Sequence, residues 1–290
     1  PQGNINPGAW TGTHAHGTHV TSTVLGYMMH DTQMDGVAPG AKVIPVKVLN
    51  NQGSGYSSAV TAGILYIADL KAEGKVVEPI VINMSLGSSA PDPIELEAIK
   101  YAIANGVIVV TSAGNSGEAG MGYPGAYDEV ISVGASGWTD MWLKGFIGDV
   151  PEVNVEEETY VADFSSRELP GQYLDVLAPG DWIVGPYTLN GAAHPPQWAK
   201  QDKMGEYYYL SGTSMASPHV AGVAALMLEK NPFLNQRDIE RILKDTALYI
   251  SPNTVTVVDP YGGTTYTWGS DATGSGLIQA DHAVQEAANY

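Results

Sequence analysis

The chain has 290 residues, 44% of them apolar and only 15% charged, which excludes a disordered chain and a coiled coil. Its 31 acidic residues outnumber its 13 basic residues, and the net charge of −18 argues against a nucleic-acid partner, which would need a basic surface. Cysteine is absent, which excludes disulfides and thiol nucleophiles, and no apolar run approaches the ~18 residues of a membrane helix.

Short apolar segments predict strands at residues 42–48, 80–84, 107–111, 130–133 and 174–177. They are rich in valine and isoleucine and almost continuously apolar, which is typical of strands covered on both faces. Helices are predicted at residues 58–70 and 94–105, and Asn105 followed by Gly106 is a good stop for the second helix. This alternation predicts a three-layer α/β fold, in which helices cover both faces of a mostly parallel sheet.

Three segments interrupt the alternation and are interpreted as surface insertions. Residues 136–161 include three consecutive glutamates, and residues 181–209 include two consecutive prolines and three consecutive tyrosines. Residues 251–270 alternate like a hairpin around a pair of glycines. None of the three resembles an interdomain linker, so we expect residues 1–290 to form one domain with surface insertions.

The first chemically rich cluster contains His14, His16 and His19. Three closely spaced histidines suggest a metal site, but no carboxylate stands at the spacing that zinc peptidases use. The following residues are small and helix-compatible, so a structural role at the start of a helix suits His19 better than metal binding. His16, at the very start of that helix, could instead project as a catalytic base.

A second cluster surrounds Ser214, which follows Gly212 where a helix is predicted to begin. A helix start presents free N–H groups and partial positive charge, which suits a nucleophile whose substrate oxygen becomes negative. Taken alone, the segment is better explained by Thr213 or Ser214 acting only as an N-cap. His219 is better explained as a packed helix residue than as a second base.

A third cluster ends at Asn115, just beyond the predicted strand 107–111. Ligands of open α/β sheets bind beyond the carboxyl ends of the strands, and an asparagine amide there can donate to an oxyanion. Taken alone, the segment is better explained by an Asx-turn, which asparagine supports well.

Together the three clusters resemble the motifs of the subtilase family, the subtilisin-like serine peptidases. HGTHV, which begins at His16, resembles the catalytic-histidine motif, and SAGN, which ends at Asn115, resembles the oxyanion segment. GTSMASPHVAG, which contains Ser214, resembles the nucleophile motif. Their order and spacing agree as well, and the resemblance extends over nearly the whole chain except the three insertions.

The resemblance implies a serine endopeptidase that acts on polypeptide substrates. His16 would be the general base, Ser214 the nucleophile, and Asn115 with the Ser214 backbone N–H the oxyanion donors. It also implies secretion, structural calcium and no cofactor for the chemistry itself. A peptide-binding pseudoprotease and a non-proteolytic acyl hydrolase remain alternatives.

The resemblance further places a substrate cleft. One side would be an edge segment to which a peptide adds as a strand, and the other side would run parallel to it. A pocket between them would take the residue before the cut, and Gly122 has no side chain to close it, so a roomy apolar pocket is expected. The residues concerned are Gly53, Ser54 and Gly55; Ser85, Leu86 and Gly87; and Ala113, Gly114 and Gly122.

The family's catalytic aspartate, which lies upstream of the histidine on a central strand, has no counterpart before His16. Asp31 and Asp35 follow the histidine in a polar turn and are poor substitutes. We therefore expect the chain to be N-terminally incomplete and to associate with an N-terminal fragment that carries this aspartate and fills the sheet beside residues 42–48. Because the family's calcium site draws ligands from the same region, the metal ligands are unknown.

Overall fold

The structure is a computed structural model that describes residues 14–29, 31–141, 154–187, 207–258 and 262–290. The helices are α1 His16–Leu25, α2 Ser57–Ala72, α3 Pro93–Ala104, α4 Val155–Glu158, α5 Thr213–Lys230, α6 Gln236–Asp245 and α7 Ala280–Asn289. The strands are β1 Gly26–Met29, β2 Thr32–Asp35, β3 Ile80–Met84, β4 Val107–Ser112, β5 Ile131–Trp138, β6 Thr159–Val161, β7 Val176–Pro179, β8 Ile183–Pro186, β9 Tyr207–Leu210, β10 Asn253–Val257 and β11 Thr264–Trp268.

The main sheet contains strands β3 to β7. Strands β3, β4, β5 and β7 pair in parallel in that order, and β6 pairs with the far end of β5 in the antiparallel sense. Three separate antiparallel hairpins surround it, formed by β1 with β2, β8 with β9, and β10 with β11. The predicted, mostly parallel sheet is therefore confirmed, with hairpins added at its margins.

The side chains of β4 show why the fold has three layers. Ile108 and Val110 point into a core that they share with α5, α6 and α7. Val107 and Val109 point to the opposite face, into a core shared with α2 and α3. All four side chains are almost completely buried, as the continuous apolar run requires when helices cover both faces of a parallel sheet.

A buried side chain completes the hydrogen bonding of β4 where β5 does not reach. Pairing between β4 and β5 begins at Val110, so the N–H and C=O of Val109 face no strand on that side. Gln236, the first residue of α6, accepts from Val109 N at 2.8 Å and donates to Val109 O at 3.0 Å. The Gln236 amide thus takes the place of a strand and fixes α6 to the sheet.

Residues 42–48 are not a strand, contrary to the sequence prediction. Within the described part of the chain they have no strand partner, and Val43, Ile44 and Val46 are 45%, 42% and 37% exposed. Their inner side lies on α2, because a Cβ placed on Gly63 would meet the γ-carbons of Val46 and Val48. Strand β3 also lacks a partner on one side, since among the described residues it pairs with β4 alone. An apolar sequence becomes a strand only when a neighbour supplies hydrogen bonds, and no described residue supplies them to residues 42–48.

The predicted insertions are more ordered at their ends than expected. The interpretation of residues 136–161 as a surface excursion is wrong at both ends, since Ser136 lies in β5 and the fully buried Tyr160 lies in β6. Residues 183–186 and 207–210 form the β8–β9 hairpin, and the predicted hairpin within 251–270 is confirmed as β10 and β11. The polar turn that contains Asp31 and Asp35 is the tip and second strand of the β1–β2 hairpin.

Candidate active site

His16 is the first residue of α1, which packs against α5. The ring centroids of His14 and His16 are 6.2 Å apart in an edge-on arrangement. A Cβ on Gly53 would approach His14 Nε2 to 2.9 Å, so the turn at residues 50–54 lies against His14. This contact brings Gly53, one of the predicted cleft residues, next to the histidine cluster. Ser54 and Gly55 follow it as irregular backbone rather than as a strand.

His16 is held neutral by its surroundings. Burial lowers the pKa of His16, and together with the electrostatic effects of His14 and His19 it brings the value to about 4. At neutral pH the imidazole therefore carries a free lone pair, as a general base requires.

His19 lies one helical turn after His16 and packs against the β8–β9 hairpin. Its side chain is fully buried, and its Nε2 lies 3.1 Å from Ile183 O and 3.3 Å from Tyr208 O, on the two strands of the β8–β9 hairpin. Burial lowers the pKa of His19 to about 4. Among the described residues no group of three or more histidine or carboxylate side chains could hold a metal ion, and structural calcium stays a prediction.

Ser214 is the second residue of α5, two positions after the extended Gly212 at the N-cap, and so lies at a helix start as the sequence predicts. Its Oγ donates to Ser85 O at 3.3 Å, and Ser85 Oγ donates to Ser214 O at 2.7 Å. The carbonyl of Ser214 is open to this bond because the residue four positions on is Pro218, which has no N–H to donate to it. Two reciprocal bonds therefore connect the serine to the segment after β3.

Asn115 lies beyond the end of β4 and is oriented by Thr213. Its Oδ1 accepts from Thr213 N at 2.8 Å and from Thr213 Oγ1 at 2.9 Å. The amide oxygen therefore faces the start of α5, and the two Nδ2 hydrogens are left for another acceptor. Nδ2 would lie 3.4 Å from a Cβ on Gly212, beside the turn that carries Ser214. These contacts are not those of an Asx-turn at Asn115. Thr213 is not a capping residue either, because it follows the N-cap and its hydroxyl also accepts from Gly114 N.

The remaining predicted cleft residues form a continuous ladder of backbone contacts. Ser88 and Tyr123 exchange two backbone hydrogen bonds of 2.7 and 2.9 Å, which places the segment Ser85, Leu86 and Gly87 beside Gly122. Gly122 N in turn donates to Ala113 O at 2.9 Å, adjacent to Gly114. A Cβ on Gly122 would meet Ser88 O at 3.1 Å, so this position has little room for a side chain.

Two contacts of a working serine peptidase site are absent from the described residues. No hydrogen bond connects His16 with Ser214, and none connects His16 with a carboxylate. The hydrogen bonds of Thr213 with Asn115 and of Ser85 with Ser214 were not predicted from the sequence. Thr213 lies inside the nucleophile motif, but only the fold reveals that its hydroxyl faces Asn115.

Comparison with known proteins agrees with this geometry. Residues 5–277 match the subtilase family of peptidases. The matched range covers the histidine motif, the Asn115 segment and the serine motif. The chain therefore belongs to the subtilase family and is, in class, a subtilisin-like serine endopeptidase. None of the helices in the described ranges is long and apolar enough to cross a membrane.

Individual relatives support the same assignment. The chain is 37% identical to subtilisin DY of Bacillus licheniformis over 241 residues, which is 82% of this chain and 72% of that protein. It is 34% identical to a thermophilic serine proteinase of Bacillus sp. (strain AK1), covering 81% of this chain and 47% of the relative. Among solved structures, sphericase has a TM-score of 0.66 and 31% identity, covering 91% of this chain and 77% of that one. The chain thus spans between about half and three quarters of these curated relatives' lengths.

Proposed function

We propose that this chain hydrolyses peptide bonds in polypeptides, with Ser214 as the nucleophile, His16 as the general base, and Asn115 with the Ser214 backbone N–H as oxyanion donors. The orientation of Asn115 is the observation that carries the proposal. Because Thr213 occupies its amide oxygen with two donors, Nδ2 is the part of the side chain that can face a substrate oxygen beside Ser214.

The reaction would proceed in two steps, acylation of Ser214 and hydrolysis of the acyl-serine. Neutral His16 removes the proton from Ser214 Oγ as the oxygen attacks the scissile carbonyl, and the carbonyl oxygen becomes an oxyanion held by the two N–H donors. Protonated His16 then gives its proton to the leaving amine, which leaves an acyl-serine. Water, deprotonated by His16, then attacks the acyl-serine carbonyl, and Ser214 Oγ leaves with the proton from His16 as the carboxylic acid product is released. Ser214 Oγ must first leave its bond to Ser85 O and turn toward the imidazole.

We further propose that the carboxylate partner of His16 is an aspartate on a separate N-terminal segment, outside this chain, that pairs with the edge of β3. Two features support this proposal. Among the described residues β3 has a strand partner on one side only, and the side chains of Val43, Ile44 and Val46 are exposed. A strand in this position would satisfy both, and an aspartate on it would fix the His16 tautomer. Secretion and structural calcium rest on the family resemblance alone.

The pocket before the cut is proposed to take large apolar or aromatic side chains. No acidic residue is present among Ala113, Gly114 and Gly122, so a basic side chain would find no partner there. A peptide library assayed at high salt tests this preference, because salt suppresses long-range steering by the net charge of −18. Cleavage mainly after lysine or arginine under those conditions would overturn the apolar-pocket proposal.

The central test combines a serine-directed phosphonyl reagent with casein hydrolysis. The reagent should label Ser214 alone, and Ser214→Ala should abolish both labelling and hydrolysis with an unchanged circular dichroism spectrum. The missing His16–Ser214 hydrogen bond favours a second candidate, a peptide-binding pseudoprotease. That candidate predicts peptide binding without labelling or cleavage. Hydrolysis of small esters with no cleavage of casein would instead indicate an acyl hydrolase.

The proposed partner strand has its own test in intact mass. Native mass spectrometry of the active material should detect a second polypeptide that denaturation releases, and that polypeptide should contain an aspartate essential for activity. If the chain acts at full rate with no added polypeptide, a carboxylate within the 290 residues serves His16 and the proposal of an external strand is wrong.

A further inference from the structure

Asp181 is a buried carboxylate that the proposed catalytic steps do not use. It lies two residues after the end of β7 and is only 6% exposed. Its backbone N–H donates to Ser136 O at 3.0 Å, and its Oδ2 accepts from the hydroxyl of Tyr160 at 2.8 Å. A carboxylate this deeply buried is destabilised unless hydrogen-bond donors surround it. The groups around Asp181 other than Tyr160 therefore indicate which part of the fold the carboxylate stabilises.

The remaining partners belong to the turn that carries the nucleophile. The hydroxyl of Ser211 accepts from Trp182 N at 3.1 Å and lies close enough to the Asp181 carboxylate to lower the pKa of that group. One residue further on, Gly212 N donates to Gly180 O at 2.8 Å. Residues 180–182 therefore hold residues 211–212, and Ser214 follows two positions later.

The other side of the turn is held by Asn115, whose Oδ1 accepts from Thr213 N. The nucleophile turn thus lies between two anchors, the oxyanion asparagine after β4 and the Asp181 carboxylate after β7. The second anchor is itself braced, because the ring of Tyr160 stacks on Tyr266 with centroids 4.4 Å apart. Both rings are buried, and they come from the ends of two different insertions, so these insertions contribute to the support of the turn.

We infer that Asp181 is a positioning residue for the proposed reaction: through Ser211 it fixes the turn so that the Ser214 N–H and Oγ face the point to which Asn115 Nδ2 donates. This inference rests on the proposed function. Burial raises the pKa of Asp181, the hydroxyls of Ser211 and Tyr160 lower it, and nearby Asp163 raises it. The ionised form therefore depends on the same donors that it positions.

The consequence is a selective loss in the chemical step. Substrate binding uses the ladder of residues 85–88, 113 and 122, none of which contacts Asp181, so KM should stay within about twofold. The oxyanion forms only during reaction, and a turn with one anchor released presents the Ser214 N–H less accurately. We expect kcat to fall about tenfold, the effect of roughly one lost hydrogen bond.

The experiment compares Asp181→Asn, Ser211→Ala and the double variant with the wild-type protein. Asp163→Asn is the matched control, because it makes the same change in a nearby exposed carboxylate. Values of kcat and KM are measured on a chromogenic peptide, with active sites counted by phosphonyl labelling of Ser214. Each single variant should lose about tenfold in kcat, and the double variant should lose no more than the larger single loss, because both changes break one link.

Three results would overturn the inference. They are unchanged kcat in Ser211→Ala, losses that multiply in the double variant, and a change confined to KM. Ser211 is exposed, so its variant remains informative even if Asp181→Asn folds poorly. If the wild-type protein cleaves no peptide, the proposed function fails separately. The rate of phosphonyl labelling, which uses the same serine, then decides whether Asp181 positions it.

Discussion

Thr213→Val tests whether the hydroxyl of Thr213 supports the oxyanion asparagine. Valine has nearly the same shape as threonine, and the side chain is only 1% exposed, so the change removes the hydroxyl with little repacking. Two hydrogen bonds disappear, one to Asn115 Oδ1 at 2.9 Å and one from Gly114 N at 3.1 Å. Gly114 N–H is then left partly buried without an acceptor, so we expect the free energy of unfolding to fall by about 1–3 kcal/mol.

The catalytic effect of Thr213→Val should be smaller than loss of Asn115 itself. Asn115 Oδ1 keeps the bond from Thr213 N at 2.8 Å, so its amide is loosened but not released. One neutral hydrogen bond contributes about 1 kcal/mol, which limits the fall in kcat to about tenfold.

Urea unfolding and steady-state kinetics on the same preparation measure both effects of Thr213→Val. Thr213→Ser is the control, because it keeps the hydroxyl and should keep most of kcat. Wild-type stability and kcat in Thr213→Val, or an equal kcat loss in Thr213→Ser, would refute the reasoning.

Three further predictions concern the sheet and the histidines. Gln236→Ala should lower the free energy of unfolding by about 2–4 kcal/mol, because the middle of β4 loses a donor and an acceptor. The control Gln285→Ala, on the exposed face of α7, should change it by less than ~0.5 kcal/mol, and equal urea midpoints for the two variants would contradict the prediction. Burial lowers the pKa of His219 to about 4, so between about pH 6.5 and 4 the folded state binds fewer protons than the unfolded state and loses stability as the pH falls. His219→Gln should reduce the slope of unfolding free energy against pH in this window, and an unchanged slope would count against burial as the cause. His14→Asn should raise the pKa of His16 and move the acid limb of kcat/KM to higher pH, and an unmoved limb would show that the charge of His14 does not act on His16.

Features set by nearby residues could be predicted from the sequence. A helix start at Ser214 could be predicted because glycine precedes a run of small, helix-compatible residues, and α5 begins one residue earlier, at Thr213. The end of α3 could be predicted because Asn105 and Gly106 stop it. Strand β4 was predicted because its run of valine and isoleucine suits burial on both faces. The same local signal failed at residues 42–48, because strand formation also needs a hydrogen-bonding neighbour, which a local pattern does not contain.

The contacts that orient the site could not be predicted, because they join distant parts of the chain. Thr213 and Asn115 are far apart in sequence, and either could have been explained by local capping or turn formation. Asp181 lies in a segment interpreted as a surface insertion, and only the fold reveals that its carboxylate is buried against Tyr160 and Ser211. Side-chain hydrogen bonds across a fold leave no periodic signal in a sequence.

The proline inside α5 has an evolutionary consequence. Pro218 leaves the carbonyl of Ser214 without its helical donor, and Ser85 Oγ supplies the substitute. Any replacement of the proline would restore an N–H that competes for that carbonyl, and the hydroxyl at position 85 would then be less constrained. Positions 85 and 218 should therefore covary among descendants of this chain, with the serine drifting freely only where the proline has already been lost.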